Sequence, residues 1–345
     1  MFSRKIFVAG PWQTPNCFRR LFDTSISGAS HLSFSIILLI CSASLADIAS
    51  LRNVSAQSLR SNYEKVEAPN TMVRKPAEKN EDSAPASFYE ALRKALKKRK
   101  TSIENICPIS DSVARRVLED YGAMFLANRK VMPPPVCVFA NEREVTRFQE
   151  EAGYVTETIA DAEIELQLEA MKALLKAREE AQKEGLDITP RDGAEAARRN
   201  YDDSFRLWNT RFLPALDYWL TQGRLTADQV NRLQGLPLHQ QVAEVLELER
   251  SGVFFSKDLS KSILYSIAAP GTSQHIAMLA FDVTEFDNQR VREILGKHGW
   301  FQTVLSDLPH FTFLGLKEKD LPKNGLKSVA VDGQTFWIPN VLDPR

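Results

Sequence analysis

The chain has 345 residues, of which 43% are hydrophobic and 26% charged, and its 44 basic and 44 acidic side chains leave a formal net charge of zero. This composition is typical of globular proteins and argues against a fully disordered chain or a fibrous repeat. A neutral chain lacks the overall basic field that collects nucleic acid, so no nucleic-acid partner is predicted. At about 150 residues per domain, the length alone favours about two domains.

Residues 1–46 are predicted to be a secretory signal peptide. Basic side chains precede an apolar run at residues 32–41, and a small-residue motif ends at Ala46. This order is typical of a cleaved signal, and the run is shorter than the roughly 20 residues of a membrane span. We therefore expect export to the periplasm or cell envelope. An uncleaved anchor, a buried helix and a lipid anchor on Cys41 are the alternatives.

The remaining cysteines, Cys107 and Cys137, form an even pair in the exported chain. Cysteines of exported proteins commonly pair in an oxidising compartment, which predicts a disulfide between them. Two unpaired buried thiols are the alternative interpretation.

A flexible tether is predicted over residues 47–100. Its first part is rich in polar residues and Pro, which cannot bury enough apolar surface to offset the entropy of ordering. Its last part, residues 93–100, carries six Lys and Arg side chains. This basic run has two interpretations, an electrostatic contact with the anionic envelope or a solvated helix end, and we favour the second.

From residue 101 onward, the hydrophobic pattern predicts helices first and strands later. The predicted helices cover residues 110–130, 142–151, 160–184, 195–222 and 238–250, with one starting at the capping box of Thr226 and a short one ending near Gly299. The predicted strands cover residues 136–139, 263–265, 276–281 and 311–314. This order favours an α+β fold, with a helical extension at 101–159 and a main domain at 160–345.

Three acidic and imidazole side chains near the predicted strands are suited to bind a metal, and a fourth is suited to act as a base beside it. His275 lies in a turn before one strand, Asp282 ends that strand, and His310 opens the next. Two imidazoles and a carboxylate can supply three ligands to zinc and leave a fourth position for water. Asp307, three residues before His310, would then be the base beside that water. Histidines with ordinary hydrogen bonds in the core or at the surface are the alternative.

The pattern Ser-x-His, six residues, Asp, followed by a Gly-aromatic step and an acid-x-x-His-Phe segment, resembles the zinc D-alanyl-D-alanine carboxypeptidases and dipeptidases of bacterial cell walls, including carboxypeptidases of the vancomycin-resistance type. The matching stretches are residues 270–275, 280–283, 298–300 and 307–315, with a weaker match at 199–201. The resemblance covers roughly residues 160–316, and its His-x6-Asp part is fairly specific.

The resemblance implies a small antiparallel sheet that carries a Zn²⁺ site, with His275, Asp282 and His310 as ligands and Asp307 as general base. It implies that Arg199 stabilises the oxyanion or the substrate carbonyl, with its neighbour Arg198 as the other candidate for this role. Ser273 would hold the substrate carboxylate or orient the first histidine.

The function implied is that of an exported zinc metallopeptidase, expected as a monomer, which hydrolyses D-Ala-D-Ala-type bonds of peptidoglycan stem peptides. One alternative is a non-catalytic or weakly active peptidoglycan-binding envelope protein that retains the fold. Two departures from the family motivate it, because Met278 stands where the family has Gly, and Asp307 stands where it has Glu. Another alternative is an endopeptidase that cuts peptidoglycan cross-links.

Overall fold

The computed structural model of the chain describes residues 86–305 and 307–341. The predicted signal peptide and the predicted tether up to residue 85 lie outside the described residues. The described part belongs to one compact unit, Ala77–Arg345. Within it, no helix combines the length and the apolar character that a membrane crossing requires.

The fold is α+β, which confirms the predicted class. The α-helices are α1 (Phe88–Lys98), α2 (Ile103–Ile106), α3 (Ser112–Tyr121), α4 (Glu142–Ala152), α5 (Leu168–Lys183), α6 (Tyr201–Thr221), α7 (Ala227–Gly235), α8 (Leu238–Arg250) and α9 (Gln289–Lys297). The strands are β1 (Val155–Ile159), β2 (Ala162–Leu166), β3 (Ala280–Asp282), β4 (Trp300–Phe301), β5 (His310–Phe313), β6 (Leu326–Val331) and β7 (Gln334–Pro339). Single turns of 3₁₀ helix occur at Gly122–Leu126, Gly193–Ala196, Ile263–Tyr265, Glu318–Asp320 and Pro322–Asn324.

Local capping explains where several helices begin. The side chain of Asn200 accepts a hydrogen bond from the backbone N–H of Asp203, whose carboxylate accepts one in return, and α6 starts there. Thr226 and Gln229 make the same reciprocal pair at the start of α7, as predicted. These caps satisfy backbone N–H groups that have no partner within the helix.

A three-stranded antiparallel sheet in the order β3-β5-β4 determines the position of the candidate site. Asp282 pairs directly with His310 across the sheet, and Ala280 pairs with Thr312. Directly opposed residues of an antiparallel pair have adjacent side chains when both lie on the same face. The strand register therefore brings together two residues that are 28 positions apart in the sequence.

Two hydrophobic clusters support this sheet and the helices. The larger one joins α1, α5, α9 and the three-stranded sheet, and its centre includes Phe281 and Trp300. The smaller one lies between α3, α6, α7 and α8, with Trp208 and Phe212 at its centre. Both clusters consist of side chains that are almost completely buried.

Several predicted elements were wrong. Residues 136–139 are irregular because their backbone bonds to Ile106 and Gly271 rather than to a strand. Residues 263–265 form a 3₁₀ turn, and residues 276–278 form a turn before β3. The predicted helix at 160–184 begins with β2, since Ile164 happens to share the apolar spacing of the helix that follows.

The structure describes the end of the predicted tether and the predicted boundary at 159/160. Residues 88–98 are α1, whose Phe88, Leu92 and Leu96 are buried in the larger cluster, so this end of the predicted tether is part of the folded unit. The basic side chains of the run 93–100 are exposed except that of Arg99, which is partly buried and donates to the backbone oxygens of Ala127, Asn128 and Val131. The predicted boundary at 159/160 falls in the turn of the β1–β2 hairpin.

Candidate metal centre

A tightly anchored loop carries the first predicted ligand. At Gly271, φ is +78°, and a Cβ atom there would lie 2.2 Å from the carbonyl oxygen of Phe139, so a side chain is excluded. The carbonyl of Gly271 accepts a hydrogen bond from the N–H of Phe139 at 2.9 Å. Its own N–H donates to the hydroxyl of Ser204 at 3.1 Å. These contacts fix the point from which the loop enters the site.

The loop then turns tightly instead of extending into a strand. The N–H groups of Ile276, Ala277 and Met278 donate to the carbonyls three residues earlier, at 3.0–3.1 Å. Met278 has φ of +54°, in the left-handed region that favours glycine, and its side chain is fully buried. At position 278, where the family that this chain resembles has Gly, the backbone therefore has a left-handed conformation.

The structure brings His275, Asp282 and His310 together. Nε2 of His275 lies 3.1 Å from Nδ1 of His310, and each of these nitrogens lies 3.2 Å from Oδ1 of Asp282. The three side chains are almost completely buried. Together they form a group that could hold a metal ion.

The protonation of His275 favours a role as ligand. Its Nδ1 lies 2.8 Å from the backbone oxygen of Ala197. A carbonyl oxygen only accepts, so Nδ1 carries the hydrogen and Nε2 presents its lone pair to the group. Burial, and next the positive charge of Arg199, lower the pKa of His275 to about 4. The imidazole is therefore neutral near pH 7, as metal binding requires.

Asp282 supplies the negative charge of the group. Burial disfavours its ionisation, but the guanidinium of Arg199, 2.6 Å from Oδ2, outweighs this effect and holds the pKa of Asp282 well below its usual range. The ligand atoms are separated by 3.1–3.2 Å. Tetrahedral coordination at about 2.0–2.2 Å places neighbouring ligand atoms about 3.3–3.6 Å apart. The residues present therefore fit a small metal ion.

The structure separates the roles of the two adjacent arginines. Nη2 of Arg199 lies 2.6 Å from Oδ2 of Asp282, the oxygen that does not face the histidines, and its Nε donates to the carbonyl of Glu195. Arg198 is not brought to the group. Its guanidinium pairs with Glu165 at 2.8 Å and lies over the ring of an exposed tyrosine.

The other predicted site residues, Ser273 and Asp307, lie on the segments that carry the two histidines. The hydroxyl of Ser273 accepts a hydrogen bond from the N–H of His275 at 3.3 Å. Of the two roles predicted for Ser273, this contact corresponds to orienting His275. Asp307 lies in the turn that enters β5, where its carbonyl accepts from the N–H of His310. Burial and the negative charge of Asp282 raise the pKa of Asp307 to about 6, against the opposing effect of His310.

Sequence reasoning missed the side chain of Gln274. Its Oε1 lies 2.8 Å from Nε2 of His310, on the side of the ring away from the group. Gln274 stands between the predicted residues Ser273 and His275, but a glutamine that makes hydrogen bonds has no characteristic spacing in a sequence. No signal in the chain could have singled it out.

Comparison with known proteins provides no relative. No family model matches this chain, and no curated protein matches it. The resemblance to cell-wall zinc peptidases therefore depends on the quoted residues alone.

Proposed function

We propose that this protein is a zinc metallopeptidase that hydrolyses D-Ala-D-Ala-type bonds of peptidoglycan stem peptides. The observation that supports this most is the convergence of two imidazole nitrogens and one carboxylate oxygen within 3.1–3.2 Å of one another. Two histidines and one carboxylate are a ligand set used by zinc hydrolases, although other divalent metals also accept it. A bound zinc ion would supply Lewis-acid chemistry, activating water and polarising a carbonyl group.

In this proposal the side chains around His275, Asp282 and His310 move protons and stabilise charge. Asp307 would accept the proton of the attacking water and pass it to the leaving amine, and a pKa of about 6 suits both steps near neutral pH. Arg199 would contribute positive charge near the developing oxyanion. Its ion pair with Asp282 at 2.6 Å supports a further role in holding that ligand.

We also propose that the protein acts outside the cytoplasm. The predicted signal peptide motivates this, and the disulfide between Cys107 and Cys137 supports it, since disulfides persist mainly in oxidising compartments. The proposed partner is the peptide of peptidoglycan, and the protein would act on it as a monomer. We further propose an electrostatic contact between residues 93–100 and the anionic envelope.

The test combines metal analysis with hydrolysis of defined muropeptides by the purified full chain. We expect about one zinc per chain, release of D-Ala from a pentapeptide, and loss of release with chelator. Asp307→Asn should keep the zinc and lose turnover at least about 100-fold, the lower range for a general base. Asp161→Asn, in the exposed β1–β2 turn, is the matched control. The proposal would be contradicted if the purified protein contained no zinc and His310→Ala were indistinguishable from wild type in metal content and in release of D-Ala.

A second candidate function is a non-catalytic, metal-binding envelope protein. The observation in its favour is the burial of the ligands, which are only 1–8% exposed. Closed metal sites are typically structural, whereas catalytic sites keep an open position. This candidate predicts bound metal, no hydrolysis, and no effect of Asp307→Asn. An endopeptidase would instead convert cross-linked dimers to monomers in the same assay.

A further inference from the structure

The side chain of Gln274 has a fixed orientation. It is 1% exposed, and its Nε2 donates to the backbone oxygen of Tyr121 at 2.8 Å. Because that carbonyl only accepts, the amide nitrogen must face Tyr121, and the amide oxygen must face the opposite side. Oε1 is therefore the atom that lies 2.8 Å from Nε2 of His310.

This orientation determines which nitrogen of His310 carries the hydrogen. An amide oxygen cannot donate, so Nε2 of His310 must donate to Gln274, and in the neutral imidazole, the form that binds a metal, Nδ1 keeps its lone pair. That lone pair faces Nε2 of His275 at 3.1 Å and Oδ1 of Asp282 at 3.2 Å. The carbonyl of Ala197 acts in the same way on His275.

We infer that Gln274 is a positioning residue that holds His310 in the tautomer and orientation required for metal binding. The inference rests on the metal site of the proposed function and adds a residue that the family pattern does not assign. Partners of this kind orient ligand imidazoles and increase their basicity.

Two buried hydroxyls hold the amide oxygen from the side of the sheet. The hydroxyl of Thr312 donates to Oε1 of Gln274. Thr312 lies two residues after His310 on β5, so both side chains are on the same face. Its oxygen also lies 2.7 Å from the hydroxyl of Thr303, and both threonines are fully buried. The acceptor is therefore held in place by contacts that do not involve the proposed metal.

Two variants separate positioning of His310 from a general role in the core. Gln274→Met has a similar length but cannot accept a hydrogen bond. Gln274→Glu keeps the acceptor oxygen and loses the donation to Tyr121. Gln241→Met is the matched control, because Gln241 is also buried and its amide also makes two hydrogen bonds, but to Trp208 and Leu233 in the smaller cluster.

The first measurement is the zinc dissociation constant of the full chain, determined by competition with a chromophoric chelator. We expect Gln274→Met to weaken binding by about 10- to 100-fold, the usual effect of losing such a partner. Gln274→Glu and Gln241→Met should stay within about threefold of wild type, even where their stability falls. Binding by Gln274→Met within threefold of wild type would overturn the inference, as would equal weakening in all three variants.

The second measurement requires neither bound metal nor folding of the Gln274 variants. Nitrogen-15 spectra of the histidine rings in the metal-free wild type report their tautomers, with the His310 signals assigned from their loss in His310→Asn. We expect the Nε2–H form, and the Nδ1–H form would overturn the inference. Wild-type protein that binds no zinc would contradict the proposed function, and the tautomer would still decide the arrangement of Gln274 and His310.

Discussion

At the scale of single residues, Met278 combines a fully buried side chain with φ of +54°. A non-glycine residue in this region is destabilised by about 1–2 kcal/mol. Replacing Met278 by Ala should lower the free energy of unfolding by about 2–5 kcal/mol through lost burial. Met278→Gly should be more stable than Met278→Ala by about 1 kcal/mol, because glycine has no Cβ to strain. Urea unfolding of the two variants measures the difference.

The control for this prediction is Ala277, which is also fully buried but lies outside the set of positive-φ residues. There, Ala277→Gly should lower the free energy of unfolding, since glycine gains more entropy than alanine in the unfolded chain. A Met278→Gly variant less stable than Met278→Ala would show that the residue does not adopt the left-handed conformation.

The candidate site shows which residue-scale features a sequence can reveal. The group of His275, Asp282 and His310 was predicted because imidazole and carboxylate side chains at predicted strand edges are suited to bind a metal, and because their spacing resembles a family motif. Gln274 and the carbonyl of Ala197, which orient the two histidines, were not predicted. A backbone oxygen has no sequence identity, and a buried glutamine resembles any other glutamine until its neighbours are known.

At the scale of elements, α5 and α9 are joined by ion pairs that make their packing sensitive to acid. Glu180 on α5 contacts Nζ of Lys297 at 2.8 Å and Nε2 of His298 at 2.9 Å. Hydrogen bonds from Lys297 and then His298 lower the pKa of Glu180 to about 2. A lowered carboxyl pKa contributes stability that is complete above the unfolded-state value, about 4.3, and is lost as the pH falls towards 2.

We therefore expect Glu180→Gln to be less stable than wild type at pH 6, with the difference shrinking between about pH 4.5 and 2. Urea midpoints measured across this range test the expectation. The control is Glu157→Gln on β1, where the glutamate is exposed. A difference between wild type and Glu180→Gln that stays constant from pH 6 to 2.5 would show that the pair does not lower the pKa of Glu180.

Helices were predicted better than strands because their signals are local. The capping boxes at Asn200 and Thr226 lie within four residues of the helices they start. The second strand of the β1–β2 hairpin was read as helix because the turn before it is Ala160-Asp161, both with positive φ, rather than the glycine or asparagine that usually marks such turns. The β6–β7 hairpin, with Asp332-Gly333 at its turn, carried the usual signal but was not predicted.

At the scale of the whole molecule, distant segments converge on the candidate metal centre. The disulfide between Cys107 and Cys137 confirms the predicted pairing. Cys137 lies two residues before Phe139, whose N–H donates to the carbonyl of Gly271 at the start of the loop that carries His275. Asp282 and His310 come from paired strands, and Arg199 lies just before α6. Binding of a metal would therefore stabilise contacts between segments that are far apart in the sequence.

This convergence predicts that metal binding stabilises the entire folded unit. A ligand that binds only the folded state adds about 2.7 kcal/mol at a free concentration 100 times its dissociation constant. We expect zinc at that excess to raise the free energy of unfolding of the full chain by this amount, and chelator to reverse the gain. His310→Asn should lose the response, while His239→Asn, at an exposed histidine of α8, should keep it. Zinc-dependent stabilisation that persists in His310→Asn would mean that the metal binds elsewhere on the chain.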